Sequence, residues 1–239
     1  MWTVSSDSAS TGCQTCGMGV PDLAAERVDY AGDHLLESAV PDEPFALFRT
    51  WLAEAFAARD RGDLAEPTAM VVATCADGRP RSRTVLLKEL SAEGFIFFTN
   101  YDSAKGSELA ADPQVALHFG WYAMHRQIRI EGVAERVARE ESQAYFATRP
   151  RGSQLGAWAS AQSSPVDSLV TLQTEYAAAE ARFADSEVPC PDHWGGFLVR
   201  PTMIEFWQGQ PSRMHDRLRY QLDRTGQQDP RWGLTRLAP

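Results

Sequence analysis

Hydrophobic positions recur at two different periods along this chain, and the switch between them outlines the molecule. Over EPFALFRTWLAEAFAARDR, Phe45, Phe48, Trp51, Leu52 and Phe56 sit near helical spacing, which predicts an amphipathic helix over 43–61. After Glu66-Pro67 the period shortens. The apolar run TAMVVATCA (68–76) and the returning RSRTVLLKEL (81–90) flank Asp77-Gly78, a dipeptide suited to a tight hairpin turn. GFIFFTNY (94–101) predicts a third strand, SAKGSELAADP (103–113) a short helix stopped by proline, and QVALHFGWY (114–122) and RQIRIEGVAERV (126–137) two more strands. From Glu140 to Asp185 the spacing is helical, interrupted at Pro150 and Pro165; WGGFLVRPTMIEFWQG (194–209) and the stretches around Arg219 and Trp232 return to strand. Successive strands with short connections predict an antiparallel meander closing into a β-barrel with added helices, an α+β architecture. Residues 1–22 read as a flexible tail, which leaves 23–239 as one domain.

Charge narrows the choice of partner. The 239-residue chain carries a net charge of −9, whereas a nucleic-acid binder needs a basic face, so nucleic acid is not expected as the partner. Arginines are nevertheless clustered locally, which fits a small anionic ligand. No apolar run approaches the roughly 18 residues of a membrane helix, and the N-terminus lacks a secretory pattern, so a reducing, cytoplasmic location without membrane contact is expected. Cys13 and Cys16 have metal or redox spacing, but no second ligand pair accompanies them, and no metal is expected. Cys75, inside an apolar strand, is expected to be a small core residue.

The chemistry-bearing residues gather toward the C-terminus. Neither a GxGxxG turn, a phosphate-binding GxxxxGK loop nor a serine nucleophile elbow occurs, so any phosphate must be held by side chains and helix ends. RPRGSQLGAWASAQSS (149–164), WGGF, IEFWQG and RMHDR mix indole and guanidinium groups, a combination suited to a flat aromatic ligand bearing phosphate. Tyr145, Arg149 and Ser153 are four residues apart, and Pro150 suits the first turn of a new helix, which leaves Ser153 near a helix N-terminus that favours an anion. The same spacing also describes a solvated helix face. Arg83 and Lys88 flank TVLL on alternate strand faces, fit either to contact two anions or to blunt an edge strand, and Lys105 is a similar case. Gln127, Gln162, Ser163, Trp207 and Gln208 can read the edge of a heteroaromatic ring or bond to backbone. Arg213, His215 and Arg217 alternate along an expected strand; three such groups on one face need an anion or an electron-rich ring among them. His118, His125 and His193 lack that context and are expected to be structural.

Together, RTVLLK, FFTNYDSAKG, RQIRIEG, YFATRPRGSQLGAWASAQS, VPCPDHWGGF, IEFWQG, RMHDR and the terminal RLAP resemble the pyridoxine/pyridoxamine 5′-phosphate oxidase family over about Arg27 to Pro239. The resemblance implies an FMN-binding split β-barrel that works as a homodimer with flavins at the subunit interface. It gives Arg83, Lys105, Gln162 and Ser163 to the FMN phosphate. The backbone of Thr84, Val85, Leu86 and Leu87, with Phe98, Thr99, Gln127, Trp207 and Arg217, falls around the ribityl chain and isoalloxazine. Lys88, which also borders the cofactor, joins Tyr145, Arg149 and Ser153 on the substrate phosphate. Arg213, Met214 and His215 fall over the substrate ring, with Arg213 and His215 as the catalytic groups, and Arg27 and Tyr30 form a lid. Ala104, Leu169 and Glu66 depart from the family's usual Arg, Arg and Asp. The implied reaction oxidises pyridoxamine or pyridoxine 5′-phosphate to pyridoxal 5′-phosphate, with O₂ as acceptor and H₂O₂ as product. Two alternatives stand beside it: a phenazine-type flavin oxidase, whose substrate carries no phosphate, and a non-catalytic flavin or pyridoxal-phosphate binder, which added substrate would not reduce.

Overall fold

A computed structural model describes residues 22–223 and 231–239. Cys13, Cys16 and all of the expected tail except Asp22 lie outside the described residues. Among those described, nine antiparallel strands form one sheet: β1 (Ala69–Ala76), β2 (Arg79–Leu86), β3 (Glu89–Leu90), β4 (Phe95–Asn100), β5 (Gln114–Trp121), β6 (Arg126–Arg136), β7 (Trp194–Gln208), β8 (Asp216–Asp223) and β9 (Arg231–Arg236). The helices are α1 (Pro44–Asp60), α2 (Ala104–Ala111), α3 (Arg139–Ala147), α4 (Arg151–Ala159) and α5 (Leu169–Arg182).

Local chemistry sets the hairpins. Asp77 and Gly78 both adopt positive φ, 52° and 71°, and Ala76 pairs with Arg79 across them, as a two-residue turn between right-twisted strands requires. The simple meander is not what forms. The ladder runs β2-β1-β5-β6-β7-β4-β3, with β8 on β7 and β9 on β8. Long β7 carries β6 along one edge and, on the other, β4 over 194–199 and β8 over 203–208. Pro201, which has no N–H to donate, stands where those two partners part.

The ladder is open. Its terminal strands β2 and β3 are successive in the chain, so the strand expected over 81–90 is two strands. At the junction the backbone changes partner: Leu87 N–H donates to Thr68 O and Lys88 N–H to Ile96 O, each at 2.8 Å.

Alternation along β1 turns Met70, Val72 and Thr74 inward and leaves Cys75 half-buried on the opposite side, so Cys75 is not a core residue. Helix α1 buries Leu47, Phe48, Trp51, Ala55 and Ala58 against the interior face. The Phe48 ring meets Phe95 at 4.9 Å and Phe119 at 5.2 Å, edge to face. Phe56 stays half-buried beneath Arg59 instead. A second, smaller apolar cluster of Phe146, Leu155, Phe183 and Trp194 holds α3–α5 against the start of β7. Pro150 separates α3 from α4, in keeping with its inability to continue a helix.

Candidate functional site

Between that helical layer and the sheet lies a cavity of about 700 Å³. Strand β2 and its exit supply Arg83, Thr84, Val85, Leu86 and Lys88; β4 supplies Phe98 and Thr99; the start of α2 supplies Ala104 and Lys105. The opposite wall is Tyr145, Arg149 and Ser153, with Gln162, Ser163 and Trp194. Arg83 and Lys88, expected on opposite faces, therefore border one cavity, because the partner change at Leu87 breaks the alternation. Leu87 itself points into the core and is 5% exposed, so only its backbone can serve a ligand.

One end of the cavity is strongly cationic. Arg81 and Arg83 share a single buried carboxylate, Glu108: Arg83 Nη2 donates to Oε2 at 2.7 Å, Arg81 Nη1 to Oε1 at 3.3 Å, and Thr74 Oγ1 to Oε2 at 2.5 Å. Burial acts to raise the Glu108 carboxyl, but the bonds from Thr74 and Arg83 and the charges of Arg83 and Arg81 outweigh it and hold the group below its ordinary value. Lys105 Nζ donates to Thr99 Oγ1 at 2.8 Å, Gln162 Oε1 at 2.9 Å and Ser103 Oγ at 3.0 Å, all neutral acceptors. Burial first, and then the Arg83 charge, bring the ammonium down to about 8. An anion placed here would reverse that depression.

The other end relies on rings. Phe98 stacks on Tyr145 at 4.0 Å and lies nearly parallel to Trp194 at 5.5 Å. Phe98 pairs with Gly196, where any Cβ would come within 2.8 Å of the Phe98 ring, which accounts for glycine in WGGF. Arg149 stacks its guanidinium 4.6 Å above Trp194. Its Nη1 is buried without a hydrogen-bond partner, and burial lowers the group from its ordinary value. Arg149 lines the cavity, and its planar guanidinium, stacked on a ring and unpaired at one nitrogen, suits a phosphate ligand.

The remaining site residues gather elsewhere in the chain. Gln127, Trp207 and Arg217 line a second cavity of about 300 Å³ with His118, Arg129, Glu205 and Pro239. Arg217 Nε is bonded to Glu205 Oε1 at 2.8 Å, and His118 Nε2 lies 3.1 Å from Gln127 Oε1. The row expected at Arg213, His215 and Arg217 is broken. Pro211–Arg213 form a 3₁₀ turn in which Ser212 and Arg213 take positive φ, 56° and 64°, and β8 begins only at Asp216. Arg213 and Met214 are exposed. His215 stacks at a tilt on Trp207 at 4.6 Å, and Tyr30 meets both rings edge-on, at 5.5 Å from His215 and 5.8 Å from Trp207. Burial and the nearby Arg213 lower His215. Arg27 is exposed, bonded to Ala24 and Glu26 of its own segment, and is not brought to either cavity. His193 bonds Ala157 O at 3.0 Å, the structural role expected of it. His118 is the exception, since it borders the second cavity.

Glu108, Thr74 and Glu205 escape a reading for cationic motifs, and nothing within RSRTVLLKEL singles out Arg81. Two of them could be found by spacing. Glu108 follows Lys105 by one helical turn, and Glu205 precedes Trp207 by one strand repeat.

An open antiparallel sheet with undercompensated cations beside stacked rings suits a protein that binds phosphorylated aromatic ligands. Residues 57–183 match the family described as pyridoxamine 5′-phosphate oxidase, and residues 194–239 match a pyridoxine 5′-phosphate oxidase C-terminal dimerisation region. A pyridoxine/pyridoxamine 5′-phosphate oxidase of Pseudomonas fluorescens strain SBW25 is 51% identical over 218 residues, 91% of this chain and 98% of its own length. One of the same name from Burkholderia lata strain 383 is 49% identical over 91% of this chain and 99% of its own. The crystal structure of PhzG from Burkholderia lata 383, in complex with tetrahydrophenazine-1-carboxylic acid, superposes with a TM-score of 0.78 at 30% identity, covering 87% of this chain and 98% of that one. The chain belongs to the pyridoxamine 5′-phosphate oxidase family. Its cofactor is FMN, and its C-terminal match supports a homodimer. The cavity suits that cofactor: Lys105 and Arg83 hold excess positive charge where a phosphate would neutralise it.

Proposed function

We propose that the homodimer oxidises pyridoxamine and pyridoxine 5′-phosphates to pyridoxal 5′-phosphate. The amine reacts with O₂ and water to give the aldehyde, ammonia and H₂O₂; the alcohol reacts with O₂ to give the aldehyde and H₂O₂. The observation that carries this reading is one cavity lined both by Arg83 and Lys105 and by Arg149, enough cationic groups for two phosphates. A phenazine carboxylic acid has no phosphate for the second grip. The difference between 49% and 30% identity to two proteins of one Burkholderia lata strain points the same way.

FMN, when bound, supplies a two-electron acceptor that O₂ regenerates. Arg83, Lys105, Gln162 and Ser163 hold its phosphate; the backbone of Thr84, Val85, Leu86 and Leu87, with Phe98 and Thr99, borders the rest. Lys88, Tyr145, Arg149 and Ser153 bind the substrate phosphate, and that remote binding energy fixes where the reacting carbon lies. Trp207, Arg213, Met214, His215 and Arg217 all lie in the segment matched to the dimerisation region. On this reading that surface, with Gln127, completes the site of the other subunit, Arg213 and His215 facing the substrate ring as catalytic residues. Tyr30, packed on His215, covers that ring, and Arg27 joins it on closure. The free thiols of Cys75 and Cys190 accord with a reducing, cytoplasmic setting, and among the described residues no helix is long and apolar enough to cross a membrane.

The test is anaerobic. Flavin-loaded protein mixed with pyridoxamine 5′-phosphate loses its flavin absorbance within seconds, whereas unphosphorylated pyridoxamine and a tetrahydrophenazine carboxylate leave it unchanged. Equal bleaching by the unphosphorylated compounds would overturn the reading.

A further inference from the structure

The buried carboxylate of Asp216 borders neither cavity, yet it collects four donors. Its Oδ2 accepts from His34 Nδ1 at 3.0 Å, Leu35 N–H at 3.1 Å and Gln210 Nε2 at 2.9 Å; its Oδ1 accepts from Arg236 Nη1 at 2.7 Å. Burial opposes ionisation, but the bonds from Leu35, Arg236, His34 and Gln210 together hold the carboxyl below its ordinary value. Gln210, 3% exposed, also donates Nε2–H to Asp33 O at 3.2 Å. Its backbone N–H donates to His215 Nδ1 at 3.1 Å. A backbone N–H can only donate, so Nδ1 must be the unprotonated nitrogen and the ring proton must sit on Nε2. The donors His34 and Leu35 and the acceptor Asp33 O belong to the segment that, a few residues earlier, lays Tyr30 against His215.

We propose that Gln210 and Asp216 are positioning residues, a clasp that holds His215 in its Nε2–H tautomer and fastens the Tyr30 segment over it. The carboxylate fixes the Gln210 side chain, which fixes the backbone N–H that reads Nδ1. The same carboxylate anchors the covering segment at Leu35. One charged group thus sets both the direction in which His215 offers a proton and the cover above it. The catalytic consequence rests on the function proposed above; the tautomer does not.

The test uses the flavin-loaded dimer with ¹⁵N-labelled histidine, His215 being assigned by the signal lost in His215→Gln. In the unaltered protein at pH 7.5, His215 shows an unprotonated Nδ1 and a protonated Nε2. In Gln210→Ala and Asp216→Asn, flavin content holds, the His215 signals move to tautomer-averaged positions, and kcat/KM for pyridoxamine 5′-phosphate falls about tenfold. A protonated Nδ1 in the unaltered protein overturns the clasp even if neither variant folds. So do His215 signals that stay unmoved in both folded variants. If the tautomer behaves as stated but pyridoxamine 5′-phosphate is not oxidised, the clasp stands and the proposed function falls.

Discussion

The two ends of the larger cavity hold cations by different means. Arg83 is paired with a carboxylate built into α2 and bonded to Thr74, and Lys105 is tied down by Thr99 and Gln162, so their geometry is fixed before any ligand arrives. Among the described residues Arg149 meets no carboxylate; it rests on the faces of Trp194 and Phe146 and leaves one nitrogen unsatisfied. A prepaid, partly neutralised pair suits a group that stays, whereas a cation cushioned on rings suits one that comes and goes. Preorganisation lowers the ordering cost of binding, and an unsatisfied donor rewards each new arrival.

That contrast can be broken at either end. The largest effect is expected from Arg83→Ala combined with Lys105→Ala, which removes both phosphate donors; the purified protein should be colourless, with FMN affinity reduced at least about 100-fold. Flavin absorbance and titration read this out, and a yellow double variant would contradict the assignment. Next comes Arg149→Ala. It should keep its flavin yet lose about 10- to 100-fold in kcat/KM for pyridoxamine 5′-phosphate, chiefly through KM, the range for a hydrogen bond to a charged group. Loss of flavin from that variant would contradict the separate roles proposed for the two groups.

Glu108→Gln probes the resident carboxylate. Removing one partner of a fully buried ion pair costs about 3–5 kcal/mol, and because Arg83 is partly exposed a cost of about 2 kcal/mol is expected for the apoprotein. Calorimetry with and without FMN measures it, and FMN should restore more stability to the variant than to the unaltered chain.

The smallest effect is in pH. Lys105 is depressed to about 8 when no anion is present, so the affinity of apoprotein for FMN should fall as pH rises through 8. The folded chain then binds fewer protons than the unfolded chain between about 8 and the ordinary lysine value of 10.5. Over that window this group makes the apoprotein more stable as pH rises, while below it the full cost of burying the charge is present. The Lys105→Met variant should show neither slope.

Much of this was legible in the sequence, for identifiable reasons. The helix of 43–61 and the turn at Asp77-Gly78 depend on local spacing and local backbone preference, and both form where expected, although the returning strand ends at Leu86 rather than Leu90. Tyr145, Arg149 and Ser153 share one wall because a four-residue spacing survives the proline break between α3 and α4. Ladder order was not legible, since β4 finds β7 across a hundred residues of chain and no short-range period records that. Nor was the turn at Pro211–Arg213: two positive-φ residues there interrupt a period-two pattern that reads as unbroken strand. Resident anions such as Glu108 and Glu205 are invisible to a search for cations. They matter because they decide how much positive charge is left for a ligand.

The pairing of β4 with β7 also sets when the molecule can be completed during synthesis. Phe97 is neighboured by Phe197, so the strand that carries Phe98 and Thr99 gains its second edge only after some two hundred residues have been made. Contacts so distant in sequence are slow to form. Until then the nascent chain carries an unsealed margin rich in phenylalanine, open to wrong pairing with other chains.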